Sequence, residues 1–258
     1  MNIYGIQLDI LWENKAANHA KVRSLLTKVA PVRGSLVVLP EMFSTGFSMN
    51  VAGIAEGEKR ETEVFLSRTA QEFGVFMLGG VVTATAEGQG LNQSVIFAPD
   101  GKEVARYSKM QPFNLGGEGQ HYAAGHQIVT FPWQGFVVAP FVCYDLRFPE
   151  LFRAGARRGA QLFVVIACWP VKRIQHWITL LQARAIENQA YVVGVNRCGD
   201  DPKYSHNGRS LIIDPHGTIL ADAGEGEGVM SAEVAVETVV AWRKEFPALQ
   251  DMRANVLL

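Results

Sequence analysis

Cysteine is scarce in this chain, and its scarcity excludes two architectures. Only three occur among 258 residues: Cys143, Cys168 and Cys198. They lie far apart with no CxxC pair, so neither a disulfide framework nor a zinc site is expected. The six histidines show no HxxxH or HExxH spacing, and no metal or other cofactor is expected. An excess of one charge is lacking too. The formal net charge is −1, which leaves no electrostatic footprint for nucleic acid or an acidic membrane surface. Long apolar runs are missing as well: Leu162 to Val171 is the longest, too short to span a bilayer. The opening MNIYGIQLDILWENK has neither the basic start nor the long apolar core of a signal peptide. A reducing cytoplasm is the expected setting. No linker, low-complexity segment or short repeat interrupts the chain, so a single domain over residues 1–258 is expected.

What is present alternates between two periods. Apolar stretches at 3–10, 35–39, 75–85, 91–98, 103–107, 127–131, 136–142, 162–167 and 191–197 read as strands. Shorter strands follow at 210–213, 218–221 and 229–234. Helical spacing runs over 14–29, 61–73, from about 146 to 158, 174–190 and 237–246. Residues 44–57 read as a loop of small side chains. The stretch 108–125 is long, glycine-rich and irregular, the kind of segment that often carries function. Strands alternating with helices in both halves predict an α/β domain whose sheets are covered by helices.

The chain is organised around FVVAPFVCYDLRFPE, residues 136–150. A run long enough for a strand buried on both faces ends in Cys143 and leads into a helix start. Such strand ends are where α/β proteins usually place their chemistry, and a helix N-terminus or nearby cations favour thiolate. Taken alone, a buried structural cysteine is the plainer reading. Glu41 also follows a buried strand, where a carboxylate is unusual unless paired or working, although it could simply cap. Lys109, in YSKMQPF, could equally be a solvated surface lysine. Together a thiol, a carboxylate and an ammonium make a workable acyl-transfer site: the carboxylate takes the thiol proton and the cation stabilises the oxyanion.

The motifs LPEMF at Glu41, YSKMQPF at Lys109 and CYDLRFPE at Cys143, in that order, resemble the nitrilase superfamily of carbon–nitrogen hydrolases. The resemblance covers nearly the whole chain. It implies a four-layer α-β-β-α sandwich, and homodimers or larger assemblies paired through helices. It implies Glu41 as general base, Lys109 as oxyanion stabiliser, Cys143 as nucleophile and the backbone N–H of Tyr144 as an oxyanion donor. Glu118, in GGEGQHY, matches a second glutamate that positions the reacting groups and can aid proton transfer. LPEMFSTGF, VCYDLRFPE and the stretch from His176 to Arg197 are most similar to the small ω-amidases, which hydrolyse the terminal amide of 2-oxoglutaramate or 2-oxosuccinamate. Other hydrolases of the superfamily, acting on nitriles, carbamoyl groups or deaminated glutathione, are the alternatives, and a non-catalytic binding protein on the same fold is a further one. Cys168 departs from the asparagine expected before Trp169-Pro170, and loses the hydrogen bonds of an amide.

The substrate's carboxylate would need an arginine, for which Arg173 is the candidate and a surface role the alternative. Lys172 is its neighbour, and Arg147 is read as structural. Trp169 and Tyr122 could line a pocket or pack in the core. Arg184, Glu187 and Asn188 are read as helix-to-sheet ties, Cys168 and Cys198 as packed reduced thiols, and GEGEG at 224–228 as a turn. The partners expected are a small amide and a second copy of the chain, with residues 247–258 at the interface.

Overall fold

Two six-stranded sheets stack face to face, each with helices on its outer side. This is a computed structural model, and it describes residues 1–253. The first half of the chain contributes β1 (Asn2–Gln7), α1 (Lys15–Val29), β2 (Leu36–Val38), α2 (Val51–Ile54), α3 (Glu61–Phe73), β3 (Phe76–Ala84), β4 (Gly90–Phe97) and β5 (Glu103–Ser108). The second contributes β6 (Phe131–Trp133), β7 (Phe136–Val142), α4 (Pro149–Arg157), β8 (Leu162–Ala167), α5 (Ile174–Asn188) and β9 (Tyr191–Asn196). After these come the hairpin β10 (Cys198–Asp200) and β11 (Ser205–Asn207), then β12 (Leu211–Ile213), β13 (Ile219–Asp222), β14 (Gly228–Glu233) and α6 (Val236–Glu245). The sheet orders are β14-β1-β2-β3-β4-β5 and β13-β12-β9-β8-β7-β6, each with a parallel centre, β1-β2-β3 and β7-β8-β9.

Strand periodicity explains the layering. Successive side chains of a strand point to opposite faces. Leu36 and Val38 accordingly enter the core between the sheets, whereas Val37 and Leu39 pack with Val22 and Leu26 of α1 and Leu66 and Ala70 of α3. Gly155 of α4 abuts Phe163, and Gly194 of β9 abuts Trp177 and Leu181 of α5, which places these two helices on the second sheet. The result is the expected α-β-β-α sandwich.

Two local expectations fail, and one element is unforeseen. No strand forms over 127–131. Phe131, the exposed Pro132 and Trp133 instead pair as β6 on the outer edge of β7, where a residue without an N–H is tolerated. The 44–57 loop contains the single-turn helix α2. The hairpin β10–β11 was not anticipated, because three-residue strands carry too little alternation to be read. The expectation for the tail falls partly outside the described residues, at 254–258.

The sandwich brings the carboxyl ends of β2, β7 and β8 together, so that Glu41, Cys143 and Cys168 meet at one end. Gly80 of β3 makes this possible at Glu41. Its N–H bonds the carbonyl of Pro40 at 3.2 Å. A Cβ there would collide with the Met42 nitrogen and lie 2.7 Å from the Glu41 Cα. At neighbouring Gly79 the obstacles are only side chains, Phe43 at 3.0 Å and Leu66 at 3.2 Å. Gly80→Ala is therefore expected to cost about 1–3 kcal/mol of stability through overpacking against a rigid backbone, and Gly79→Ala less. Denaturant unfolding of the two variants gives the comparison; equal losses would mean the turn at Glu41 yields freely.

Candidate active site

Two carboxylates from two loops converge on one buried ammonium. Lys109 follows β5, and its side chain is 2 % exposed. Its Nζ donates to Glu41 Oε1 at 3.0 Å, to Glu118 Oε1 at 3.0 Å and to Glu118 Oε2 at 2.8 Å. Glu41 occupies the turn after β2 and Glu118 a 3-10 turn at Glu118–Gln120; both are fully buried. Asn92 of β4 spans the two carboxylates, with Nδ2 2.7 Å from Glu41 Oε1 and 2.9 Å from Glu118 Oε1. The backbone N–H of Phe113 bonds Glu118 Oε2 at 2.6 Å, and that of Cys168 bonds Glu41 Oε2 at 2.8 Å. Burial by itself would lower the affinity of Lys109 for its proton. The charges of Glu118 and Glu41 overcome that and hold the ammonium well above its ordinary pKa.

Cys143 follows β7 and opens a 3-10 turn at Cys143–Arg147, in a left-handed conformation with φ 48°. Non-glycine residues seldom sit there, and such strain costs on the order of 1–3 kcal/mol. Asp145 holds the turn in place. Its buried carboxylate accepts from the Val142 N–H at 3.0 Å, the Tyr107 hydroxyl at 2.8 Å and the Gln111 N–H at 2.9 Å. The Cys143 turn and the strand leading to Lys109 are thus bolted to one carboxylate. Burial pushes the Asp145 carboxyl up to about 7, against those hydrogen bonds and the Lys109 charge.

A nearby cation favours thiolate in general, but here it does not prevail. Burial, followed by the nearby Glu41 carboxylate, pushes the Cys143 thiol well above its ordinary value, and Lys109 offsets this only in part. The sulfur rests as a neutral thiol and needs a base. Tyr144 lies in the first turn of the 3-10 segment, whose N–H groups lack partners within the helix.

Cys143 opens onto a cleft lined by Tyr144, Arg147, Trp169, Arg173 and Phe113, with Asp201, Tyr204 and His206 of the β10–β11 hairpin on one wall. Arg147 stands 4.9 Å from the Trp169 ring and 3.2 Å from His176 Nδ1, and Arg173 stands 5.4 Å from the Phe113 ring. Neither guanidinium forms a salt bridge among the described residues, in contrast to Arg184, Arg197 and Arg209. Asp201 is engaged by the backbone of its own hairpin, at Lys203 and Tyr204.

The family profile described as Carbon-nitrogen hydrolase matches residues 5–244. The chain is a carbon–nitrogen hydrolase. It is 40 % identical to the omega-amidase YafV of Yersinia enterocolitica, over 98 % of this chain and 97 % of that protein. With the 2-oxoglutaramate amidase of Bacillus subtilis (strain 168) it shares 32 % identity, over 97 % of each. Among solved structures, XC1258 from Xanthomonas campestris, a CN-hydrolase superfamily protein with an arsenic adduct in its active site, superposes with a TM-score of 0.92 at 32 % identity. That match covers 100 % of this chain and 99 % of the other.

This carbon–nitrogen hydrolase brings Glu41, Lys109, Glu118, Cys143 and Tyr144 to one place, and sets Trp169 and Arg173 on the adjoining cleft. Tyr122 is not on the cleft. Its hydroxyl donates to the Ser48 carbonyl at 2.6 Å, and its ring packs with Met42, Val51, Ile54 and Val82. Arg147, read as structural, lines the cleft after all. Arg184 donates to the Leu146 carbonyl at 3.1 and 2.7 Å, so it ties α5 to the Cys143 turn. Cys168 keeps one weak bond, Sγ to the Glu41 carbonyl at 3.3 Å. Gly224 accepts from Gln7 and Arg209, as a turn should. Asn92 and Asp145 were missed. An asparagine inside the apolar strand LNQSVIF was the one available sign of the first.

Asp145→Asn is expected to destabilise the protein, because an amide presents an NH2 group to at least one of the backbone donors. The sign of its pH dependence follows from the raised carboxyl. The stability that the Asp145 proton contributes is full below about pH 3.8 and lost as pH rises through about 7. The gap in Tm between wild type and Asp145→Asn should therefore be wider at pH 5 than at pH 8. A gap that widens with pH would reverse the assignment of the proton.

Proposed function

We propose that the protein is a thiol-dependent amidase that hydrolyses the terminal amide of small 2-oxo dicarboxylate monoamides, 2-oxoglutaramate or 2-oxosuccinamate, to acid and ammonia. The observation that carries this reading is the buried Glu41–Lys109–Glu118 cluster beside a neutral thiol, at the head of a cleft bearing two arginines without carboxylate partners among the described residues. The names of the relatives support the substrate class. One carbon–nitrogen hydrolase domain over the whole chain is part of the same reading.

Cys143 Sγ attacks the amide carbonyl as Glu41 takes the thiol proton. The oxyanion forms against Lys109 and the Tyr144 N–H. All three Lys109 protons face carboxylates at rest. Protonating Glu41 cancels its charge and loosens the bond from Nζ to Oε1, which turns that donor toward the new oxyanion. Glu41 then passes its proton to the departing nitrogen, ammonia leaves, and a thioester remains on Cys143. Water activated by Glu41 attacks the thioester, releasing the acid and restoring the thiol.

At the far end of the cleft the substrate's carboxylate meets Arg173, with Arg147 beside it and the Trp169 ring alongside. Burial, and then the Arg173 charge, lower the proton affinity of Arg147. Two like charges over aromatic faces cost free energy that a bound anion offsets. We also infer a homodimer, supported by the exposed apolar side chains of Ile186, Val240 and Phe246 on α5 and around α6. A cytoplasmic setting is supported by three unpaired cysteines, one of them the nucleophile.

Ammonia release from acidic amides, neutral amides and nitriles tests the reading. Cys143→Ala should abolish turnover in a folded protein. Arg173→Ala should lower kcat/KM for the acidic amides about ten- to a hundredfold, since charge-assisted contacts contribute roughly 1.5–3 kcal/mol, and leave neutral amides nearly unchanged. A wild-type preference for neutral amides or nitriles would overturn the substrate assignment.

A further inference from the structure

Counting acceptor sites around the cluster separates its two glutamates. An ionised carboxylate offers about four lone-pair positions, two on each oxygen. Glu118 has all of them engaged: Oε1 accepts from Asn92 and Lys109, and Oε2 from Lys109 and the Phe113 N–H. Glu41 is one short. Its Oε1 accepts from Asn92 and Lys109, whereas Oε2 accepts only from the Cys168 N–H. One residue completes both full sets. Asn92 Nδ2 spends its two protons on the two Oε1 atoms, which fixes the orientation of the amide and leaves Oδ1 buried without a partner. A buried unpaired oxygen costs about 1–3 kcal/mol. That cost is tolerated here in exchange for binding two carboxylates whose Oε1 atoms share one ammonium.

We propose that Asn92 is a positioning residue of the hydrolysis: by filling the last acceptor site of Glu118 and of Glu41 Oε1, it leaves Glu41 Oε2 as the only oxygen of the pair able to take the Cys143 proton. Glu118 then stays ionised throughout and supplies charge and geometry, without joining the proton transfer that its motif suggested. The step balances without an added reagent. The S–H bond breaks, an O–H bond forms on Oε2, and the sulfur electron pair forms the carbon–sulfur bond. Glu41 goes from −1 to neutral while the substrate oxygen becomes the anion, so the cluster and substrate together keep their charge. The neutrality of the Asn92 amide matters, because an acid in its place would add a third carboxylate around one Lys109. The other titratable groups facing the cluster are Tyr122, Cys143 and Cys168, with Asp145 and His206 farther out.

The inference rests on the roles proposed for Glu41 and Cys143, and its test needs no amide substrate. The rate at which iodoacetamide alkylates Cys143 is measured against pH, with the adduct mapped to separate Cys143 from Cys168, in wild type, Asn92→Ala, Asn92→Ser and Asn92→Asp. Removing donors from a carboxylate raises its pKa, and adding a like charge raises it further. The profile should therefore move to higher pH by about one unit or more in Asn92→Ala, further in Asn92→Asp, and least in Asn92→Ser, whose hydroxyl serves one carboxylate. At a fixed pH on the rising limb, a one-unit shift reads as roughly a tenfold slower alkylation. Should the alanine and aspartate variants fail to fold, the serine variant alone decides by the direction of its shift. A folded variant with the wild-type profile, whatever its Tm, overturns the role of Asn92. A wild-type Cys143 that iodoacetamide leaves unmodified would instead sink the functional reading.

Discussion

The structure depends on one ammonium placed where water cannot reach it. A buried cation is tolerable only when paired and hydrogen-bonded. Lys109 meets that condition with two carboxylates contributed by the β2 turn and the 108–125 loop. Removing one member of such a buried group strands the others, at a cost of about 3–5 kcal/mol. In the proposed mechanism the contacts that hold these loops together are also the contacts that do the chemistry. The residues around the cluster are fixed by the same demand: Asn92, the Phe113 N–H and the Cys168 N–H each satisfy an oxygen that burial would otherwise leave unpaired.

Electrostatics also sets the resting state of the sulfur. A thiolate beside Lys109 would gain from the ammonium, but the two glutamates have already claimed it, and desolvation tips the balance to the neutral thiol. In the proposed mechanism, activation is deferred until an acyl carbon is present to receive the electrons. At that moment negative charge moves from the carboxylate to the substrate oxygen without leaving the neighbourhood of Lys109. Little reorganisation is needed, which is the condition under which fixed charges lower a barrier most.

The main elements of this arrangement were legible in the chain. Apolar runs at 35–39 and 136–142 could be read as buried strands, and the polar residues ending them, Glu41 and Cys143, stood out against those runs. What escaped was long-range. Asn92 lies 51 residues from Glu41 and 26 from Glu118 along the chain, and its local context says only that a strand contains one amide. Tyr122 misled for a similar reason: an aromatic beside a functional loop looks like a pocket wall, and its actual partners, Ser48 and Met42, sit in a different loop. The family motif suggests a structural role for Arg147, yet the 3-10 turn at Cys143–Arg147 sets it on the cleft. The strand expected at 127–131 failed because apolar content was present at Ile128 and Val129 while a pairing partner was not; both side chains pack on the core without a ladder.

The contact that steadies Glu41 Oε2 comes from the main chain of residue 168, not from its side chain. Any amino acid other than proline supplies that amide, so this one contact to Glu41 does not depend on the side chain at 168, which separately reaches the Glu41 carbonyl through its thiol. Selection can therefore rework the wall at 168 for a different substrate, exchanging a thiol for an amide or an apolar group, while the proton acceptor a few ångströms away stays in register. Main chain and side chain at 168 thus divide two duties of the proposed site, one holding the proton acceptor and the other forming part of the wall.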